Sequence, residues 1–279
     1  MFKDILVPLD GSAFAEQALD FAAGLAVREG ALLHLIHVDT GARATAAVYL
    51  EQLAAQISER HAVRVEAAVV QLNGGSVART LAGEVEARAV RSVVMTTHGR
   101  SGLERLWLGS VADQLVRMLH VPLFLLRSRA PMPPRRILVA LDGTPLAERA
   151  LAPALHLAHI MRAQLTLLRV VALERAWVVT PHGARWVELA LPRERAVEEA
   201  QHYLEGLAQS MPPDLLIDTQ VLVHESIPTA LSEAAEQDDA ALIALTTRAR
   251  HGLERWLLGS VADKLLRSTT RPLLIVHPE

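Results

Sequence analysis

The sequence predicts an α/β protein built from two tandem Rossmann-like, doubly wound domains, each with a five-stranded parallel sheet. One block occurs twice, at residues 96–113 and 246–263, and the similarity continues into the apolar run that follows each copy. The chain start repeats as well, since ILVPLDGS at Ile5–Ser12 corresponds to ILVALDGT at Ile137–Thr144. Within each copy, short apolar runs alternate with helical segments, the pattern of a parallel sheet covered on both faces.

The first copy begins with an apolar run at Asp4–Leu9, which predicts a buried strand. Ser12 is the expected N-cap of a helix that continues to about Arg28. The same criteria give strands at Leu32–Val38, Val63–Gln71, Ser92–Thr97 and Leu123–Leu126, and helices at Ala44–Arg60, Ser76–Arg88 and Ser110–Leu119.

The second copy follows the same order, with Thr144 as a helix cap and Pro145 at the first helical position. Its strands are expected near 136–141, 164–170, 215–223, 241–246 and 273–276. An insertion near 171–195 precedes the helix around Val197–Leu207 and contains Trp177 and Trp186. Either it is a surface excursion, or it serves as a lid or a dimer contact, because tryptophan is enriched at interfaces.

These elements divide the chain into a first domain at 1–129, a Pro-rich linker at 130–135 and a second domain at 136–279. The last strand of each domain would be an uncovered sheet edge. We expect Leu123–Leu126 and Leu273–Ile275 to cover each other, which makes an intramolecular domain pair. The residues leave open whether two chains then form a homodimer.

Composition excludes several classes of function. The net charge of −3 gives no electrostatic basis for nucleic-acid or anionic-membrane partners. The chain has no cysteine, no apolar span long enough for a transmembrane helix and no signal-peptide pattern, so a cytoplasmic protein is expected. His34 and His37 point to opposite faces of a strand, and no metal-binding motif, P-loop, dinucleotide fingerprint or hydrolase nucleophile elbow occurs. No metal site is expected.

The repeated block carries a candidate phosphate site. Gly109 and Ser110 precede a helix, with Ser110 as the expected N-cap and Asp113 three residues on. A helix N-terminus offers free N–H groups and a positive dipole end to an anion. If the first and fourth strands are neighbours, Asp10, Val38, Thr96 and Ser110 line one crevice. The plainer interpretation, a simple helix cap together with an Asx turn at Asp10, stays open at this point.

The residues resemble the universal stress protein family in its tandem form. The matching segments are ILVPLDGS, HLIHV and MTTHGRSGLERLWLGSVADQLVRMLHVPLFLL, and the resemblance covers nearly the whole chain twice. It implies the strand order 3-2-1-4-5 in each domain. One branch of that family binds ATP through a G-x2-G-x9-G-[ST] motif, which corresponds here to Thr96, Gly99, Gly109 and Ser110.

The resemblance implies a nucleotide site in each domain. In the first site, the residues near the adenosine would be Pro8, Asp10 and Val38. Those along the phosphates would be Gly99, Gly109, Ser110 and Val111, with His98 and Arg100 close by. Thr96 stands in place of the first glycine of the motif. In the second, the corresponding residues are Asp142, Val170, Thr246, Arg250, Gly259 and Ser260. Ala249 replaces the second glycine there, and a Cβ at a position of close approach obstructs phosphate. The first site is therefore expected to be the better one.

The function expected from these features is adenine-nucleotide binding by a stress-response regulatory protein that has no strong catalysis of its own. ATP is the expected ligand, with or without Mg²⁺. Two alternatives remain open. The sites could have degenerated in a protein that serves only interaction, or bound ATP could be hydrolysed slowly.

Overall fold

The structure is a computed structural model of the chain. It describes residues 1–41, 43–73, 75–97, 108–127, 129–173, 175–180, 183–188, 190–237, 242–247 and 259–277. The first domain contains β1 (Ile5–Pro8), α1 (Leu19–Glu29), β2 (Leu32–Asp39), α2 (Arg43–His61), β3 (Arg64–Gln71), α3 (Val77–Ala87), β4 (Ser92–Thr96), α4 (Ser110–Met118) and β5 (Leu123–Leu126). These strands lie within one or two residues of the predicted ones.

The second domain repeats the series and adds a hairpin. Its elements are β6 (Arg136–Leu141), α5 (Pro145–Glu148), α6 (Leu151–Met161), β7 (Gln164–Ala172), β8 (Arg175–Thr180), β9 (Gly183–Glu188), α7 (Ala190–Gln209), β10 (Ile217–His224), α8 (Ile227–Gln237), β11 (Leu242–Thr246), α9 (Ser260–Ser268) and β12 (Leu273–Val276). The antiparallel hairpin β8–β9 forms most of the predicted insertion. The proposed lid or dimer role of its tryptophan side chains lies outside what the structure describes.

The strands form one ten-stranded sheet in the order β3-β2-β1-β4-β5-β12-β11-β6-β7-β10. Each half has the expected order 3-2-1-4-5 and is parallel throughout. The halves join where β5 and β12 pair antiparallel, with Phe124 opposite Leu274. The two edges therefore cover each other, as expected from the sequence.

Helices cover both faces of this sheet, and each face has one core that continues across both domains. One core packs α1, α2, α6 and α7 against the sheet, with Leu25, Leu50, Leu157 and Leu204 among its buried residues. The other packs α3, α4, α8 and α9, with Leu81, Leu115, Leu231 and Leu265. Because the earlier helices of each half cover one face and the last two helices cover the other, each half is doubly wound.

The predicted start of the first helix was wrong. A 3₁₀ turn at Ala15–Ala18 comes first, and α1 begins only at Leu19. Ser12 does make a cap-like bond, since its Oγ accepts from the N–H of Ala15 at 3.1 Å. The prediction for the second copy is confirmed, because the Thr144 side chain accepts from the N–H of Ala147 and Pro145 follows it.

The contacts at the junction between the domains are reciprocal. The guanidinium of Arg127, just after β5, donates to the carbonyl of Leu266 on α9. His277, just after β12, bonds through Nε2 to the carbonyl of Val116 on α4 at 2.7 Å. Burial lowers the pKa of both side chains below their ordinary values. Each domain thus contacts the last helix of the other at an equivalent position.

Candidate functional site

A cavity of about 340 Å³ opens at the carboxyl ends of the first-domain strands. The strands β1 and β4 are parallel neighbours there. The chain leaves β1 toward the face that carries α1 and leaves β4 toward the face that carries α4. This is the switch point of a doubly wound sheet, where ligands bind in such folds.

The predicted residues that the structure describes in this domain come together at the cavity. Its lining includes Pro8, Asp10, Val38, Thr96, Gly109, Ser110 and Val111. The other three, His98, Gly99 and Arg100, lie outside the described residues. The crevice inferred from sequence is therefore present on the part of the chain that the structure covers.

The N-terminus of α4 forms one wall of the cavity, but its cap differs from the predicted one. Gly109, and not Ser110, is the N-cap, and its carbonyl accepts from the N–H of Asp113 at 2.9 Å. Ser110 is instead the first helical residue. The N–H of Gly109 donates to the carbonyl of Thr97 at 2.7 Å, which ties the helix start to the end of β4. The first N–H groups of a helix have no partner within it, so they are available to an anion.

The side chain of Asp10 is held in place beside the cavity. Its Oδ1 accepts from the N–H of Ser12 at 2.9 Å and from the Ser12 hydroxyl at 2.6 Å. The first of these is the bond of an Asx turn. Asp10 therefore forms the Asx turn and also lines the cavity.

Sequence reasoning missed part of the lining. The additional residues are Leu9, Ala15, Ile36, His37, Thr40, Val77, Leu81, Met95, Thr97 and Ala112. Three of them, Ile36, Leu81 and Met95, form an apolar wall together with the predicted Val38, within the core on the α3 and α4 face. Their apolar character was visible in the sequence, but which of them reach the crevice depends on the order of the strands.

The second domain has the same acid turn and the same glycine–serine helix start as the first. Asp142 accepts through Oδ1 from the N–H of Thr144 at 3.0 Å and from its hydroxyl. Gly259 is the N-cap of α9, and Ser260 is its first residue. Thr246 ends β11, and Val170 lies in β7. The predicted Arg250 lies outside the described residues.

Arg169 distinguishes the corresponding region of the second domain from the first-domain site. A Cβ added at Gly143 would be 3.1 Å from Arg169 Cζ, so the guanidinium lies directly over this turn. Arg169 also stands over the ring of Tyr203 at 5.4 Å. The Tyr203 hydroxyl donates to Glu148 at 3.0 Å, and burial together with that bond raises its pKa above the ordinary value. Packed side chains thus occupy the space around this loop.

The first cavity combines three kinds of surface. The apolar wall suits a flat ring, the α4 N-terminus suits an anion, and Asp10 suits a hydroxyl donor. Among the described residues, no group of three or more His, Asp or Glu side chains is placed to hold a metal ion. No helix in the described part is both long and apolar enough to cross a membrane.

Comparisons with known proteins agree with this architecture. The family model described as universal stress protein family matches residues 1–127 and again 133–277. A curated universal stress protein of Mycolicibacterium smegmatis is 26% identical over 98% of this chain and 97% of its own length. Two crystal structures, a putative universal stress protein of Pseudomonas aeruginosa and a universal stress protein of Archaeoglobus fulgidus, each superpose with a TM-score of 0.75 at 17% identity. Both cover 99% of this chain, and it covers 94% and 99% of theirs respectively.

Proposed function

The chain belongs to the universal stress protein family, and from that premise we propose that its first domain binds an adenine nucleotide, with ATP as the principal ligand. The observation that carries the proposal is the first-domain cavity. It places an apolar wall, a fixed carboxylate and a helix N-terminus around one space of about 340 Å³, within the size range of small-molecule pockets.

The three surfaces correspond to the three parts of a nucleotide. The base packs against Ile36, Val38, Leu81 and Met95. The sugar lies at Asp10, and the phosphates lie at the N-terminus of α4. Gly109 at the cap keeps this end of the helix without a side chain, so that phosphate oxygens can approach the backbone. Mg²⁺ would then be carried with the phosphates.

The role we propose is regulatory. Nucleotide bound at this cavity serves as a signal in a cytoplasmic stress response, and the protein conducts little or no turnover of its own. The second domain contributes the other half of the sheet. It binds nucleotide more weakly, because the guanidinium of Arg169 lies over Gly143, next to Asp142.

The test begins with the protein as purified. Chromatography after denaturation should release an adenine nucleotide, and calorimetric titration of the stripped protein with ATP should show binding. Phosphate release measured in the same samples distinguishes a binding protein from an ATPase. Absence of carried nucleotide, together with no heat of binding at millimolar ATP, would contradict the proposal.

A matched pair of variants locates the site. Gly109→Val places a branched side chain where phosphate must approach, so ATP binding at the first site should be lost. Gly109 has φ −59° and Gly259 φ −59°, a region open to any residue, so neither valine is strained by φ. Gly259→Val is therefore the control and should leave first-site affinity unchanged. Equal affinity in the Gly109 variant and the wild type would show that phosphate lies elsewhere.

A further inference from the structure

The strand β10 is one of the two outer edges of the ten-stranded sheet, and among the described residues it pairs with β7 alone. The carbonyls of Leu216 and His224 accept from β7 at 2.9 and 3.2 Å, so the even-numbered residues of this stretch bond to β7. The backbone groups of alternate residues in a strand point to opposite edges. The N–H and C=O groups that face outward therefore belong to Ile217, Thr219, Val221 and Val223.

The outer edge of β10 has none of the usual features that prevent strand pairing. Proteins protect such edges with short strands, lysine or proline, but β10 is eight residues long and contains neither lysine nor proline. A recess of about 610 Å³ lies along its first half, lined by residues 217–220 and by Glu205, Ala208 and Gln209 of α7. A long and regular edge of this kind is suited to pairing with another strand.

The backbone geometry restricts how a second copy of β10 can pair with the first. In an antiparallel pair, the outward-facing residues of the two strands must lie opposite each other. Two registers satisfy this rule with seven residues of β10 paired. The register centred on Gln220 places Asp218 opposite a leucine of the partner. The register centred on Val221 places Asp218 opposite the partner's His224.

The side chains of Asp218 and His224 are complementary in charge and accessible. Asp218 is exposed, and 35% of the His224 side chain is exposed. The Nε2 atom of His224 lies 4.0 Å from Glu233, too far for a hydrogen bond, so it can donate to a second carboxylate. In the register centred on Val221 the two residues occupy a non-hydrogen-bonded position, where opposite side chains come closest.

Pairing of two sheet edges already occurs inside this chain. The strands β5 and β12 pair antiparallel, and helices of both domains pack on each face of that junction. The edge at β10 has the same layers, with α7 on one face and α8 on the other. The opposite outer strand, β3, differs in its charges, because Glu66 already lies 3.9 Å from Arg88 and 3.5 Å from His34.

We infer that the β10 edge is the interface of a homodimer, in which β10 pairs antiparallel with β10 of a second copy about Val221. Asp218 then contacts the partner's His224 at two symmetric places. A two-fold pairing of identical edges is closed and stops at a dimer, whereas pairing of β10 with β3 would continue into a filament. The inference does not depend on nucleotide binding.

Sedimentation of the full-length protein at micromolar concentration should show a dimer. Val221→Pro removes the central outward N–H and leaves the bonds to β7 in place, so it should give a monomer with an unchanged unfolding transition. Val69→Pro is the matched control, because Val69 lies opposite His37 in β3 as Val221 lies opposite Arg169 in β10. Both valines border the same core, and the Val69 variant should remain a dimer.

Charge variants test the register and do not depend on how Val221→Pro folds, because Asp218 is exposed. Asp218→Lys should raise the Kd of the dimer by about two- to thirtyfold, the value of two cross-strand pairs. Adding His224→Glu to the same chain restores opposite charges and should recover most of that loss. The inference is overturned if the wild type is a monomer, if Val221→Pro remains a dimer, if Val69→Pro dissociates the dimer, or if the double charge variant is no tighter than Asp218→Lys.

Discussion

Phe124 lies at the centre of the junction between the two domains, and its removal gives the sharpest test of the shared core. Its side chain is fully buried and stands opposite Leu274 in the β5–β12 pair. Its ring packs edge-on against Phe2 at 5.2 Å and tilted against Phe21 at 5.4 Å. Truncation to alanine therefore leaves a cavity bounded by several elements that cannot all move inward.

Phe124→Ala should lower the free energy of unfolding by about 4 to 5 kcal/mol, the upper part of the usual range for a buried phenylalanine. Two aromatic contacts, each of about 0.5–1.5 kcal/mol, place it there. Phe124→Leu installs the residue type of the second domain at this position. It should cost about 1–2 kcal/mol, because most of the volume remains and the aromatic contacts are lost.

Urea denaturation followed by circular dichroism and by tryptophan fluorescence measures both effects. The wild type should unfold in one transition that the two probes report alike, because the sheet and both cores continue across the domains. Val48→Ala, at a side chain that is 56% exposed, should change stability by less than about 0.5 kcal/mol. A loss below about 1.5 kcal/mol for Phe124→Ala, or separate wild-type transitions for the two domains, would refute the reasoning.

Two further predictions concern a buried histidine and a turn. Burial lowers the pKa of His277 from its ordinary value of 6.5, so stability should fall as pH drops below about 6.5, since only the unfolded chain readily binds the proton. His277→Gln keeps a donor for the carbonyl of Val116. It should make the loss of stability with falling pH shallower by up to about 1.4 kcal/mol per pH unit. Urea denaturation between about pH 7 and pH 5 measures this slope, and an unchanged slope would contradict the role of His277. Gly143 has φ +85° and faces Arg169, so Gly143→Ala should cost about 1–2 kcal/mol. The control Gly83→Ala, in helix α3 with open space around its Cβ, should stabilise by about 0.4–1 kcal/mol; equal effects would contradict the strain argument.

The order of strands and helices was predictable because the signals for it are local. Buried strands such as β2 are nearly continuous apolar runs, and the duplicated block gave each assignment a second, independent instance. The start of α1 was not predictable in the same way. Ser12 bonds to Asp10 and to Ala15 ahead of a 3₁₀ turn, whereas the same bonds made by Thr144 precede a short α-helix. This local network therefore does not determine which kind of turn follows it.

The residues of the candidate site were likewise predictable only in part. The glycine–serine helix start and the acid after β1 have recognisable sequence patterns, and both line the cavity. The cap lies one residue before the predicted one, at Gly109, whose N–H donates to the carbonyl of Thr97. His37 carried no such pattern. Alternation shows which face of β2 it occupies, but only the order of the strands brings the end of β2 to the cavity.

Joining the two copies in one chain has a consequence for how the molecule can change. In a dimer of identical subunits every substitution appears twice, once on each side of the symmetry axis. Here Arg127 and His277 occupy equivalent junction positions, and each can be altered without its counterpart. Because the halves are tethered, their association is intramolecular and does not weaken on dilution. The chain therefore has the structural freedom of a heterodimer, in which one half can specialise in recognition while the other retains the fold.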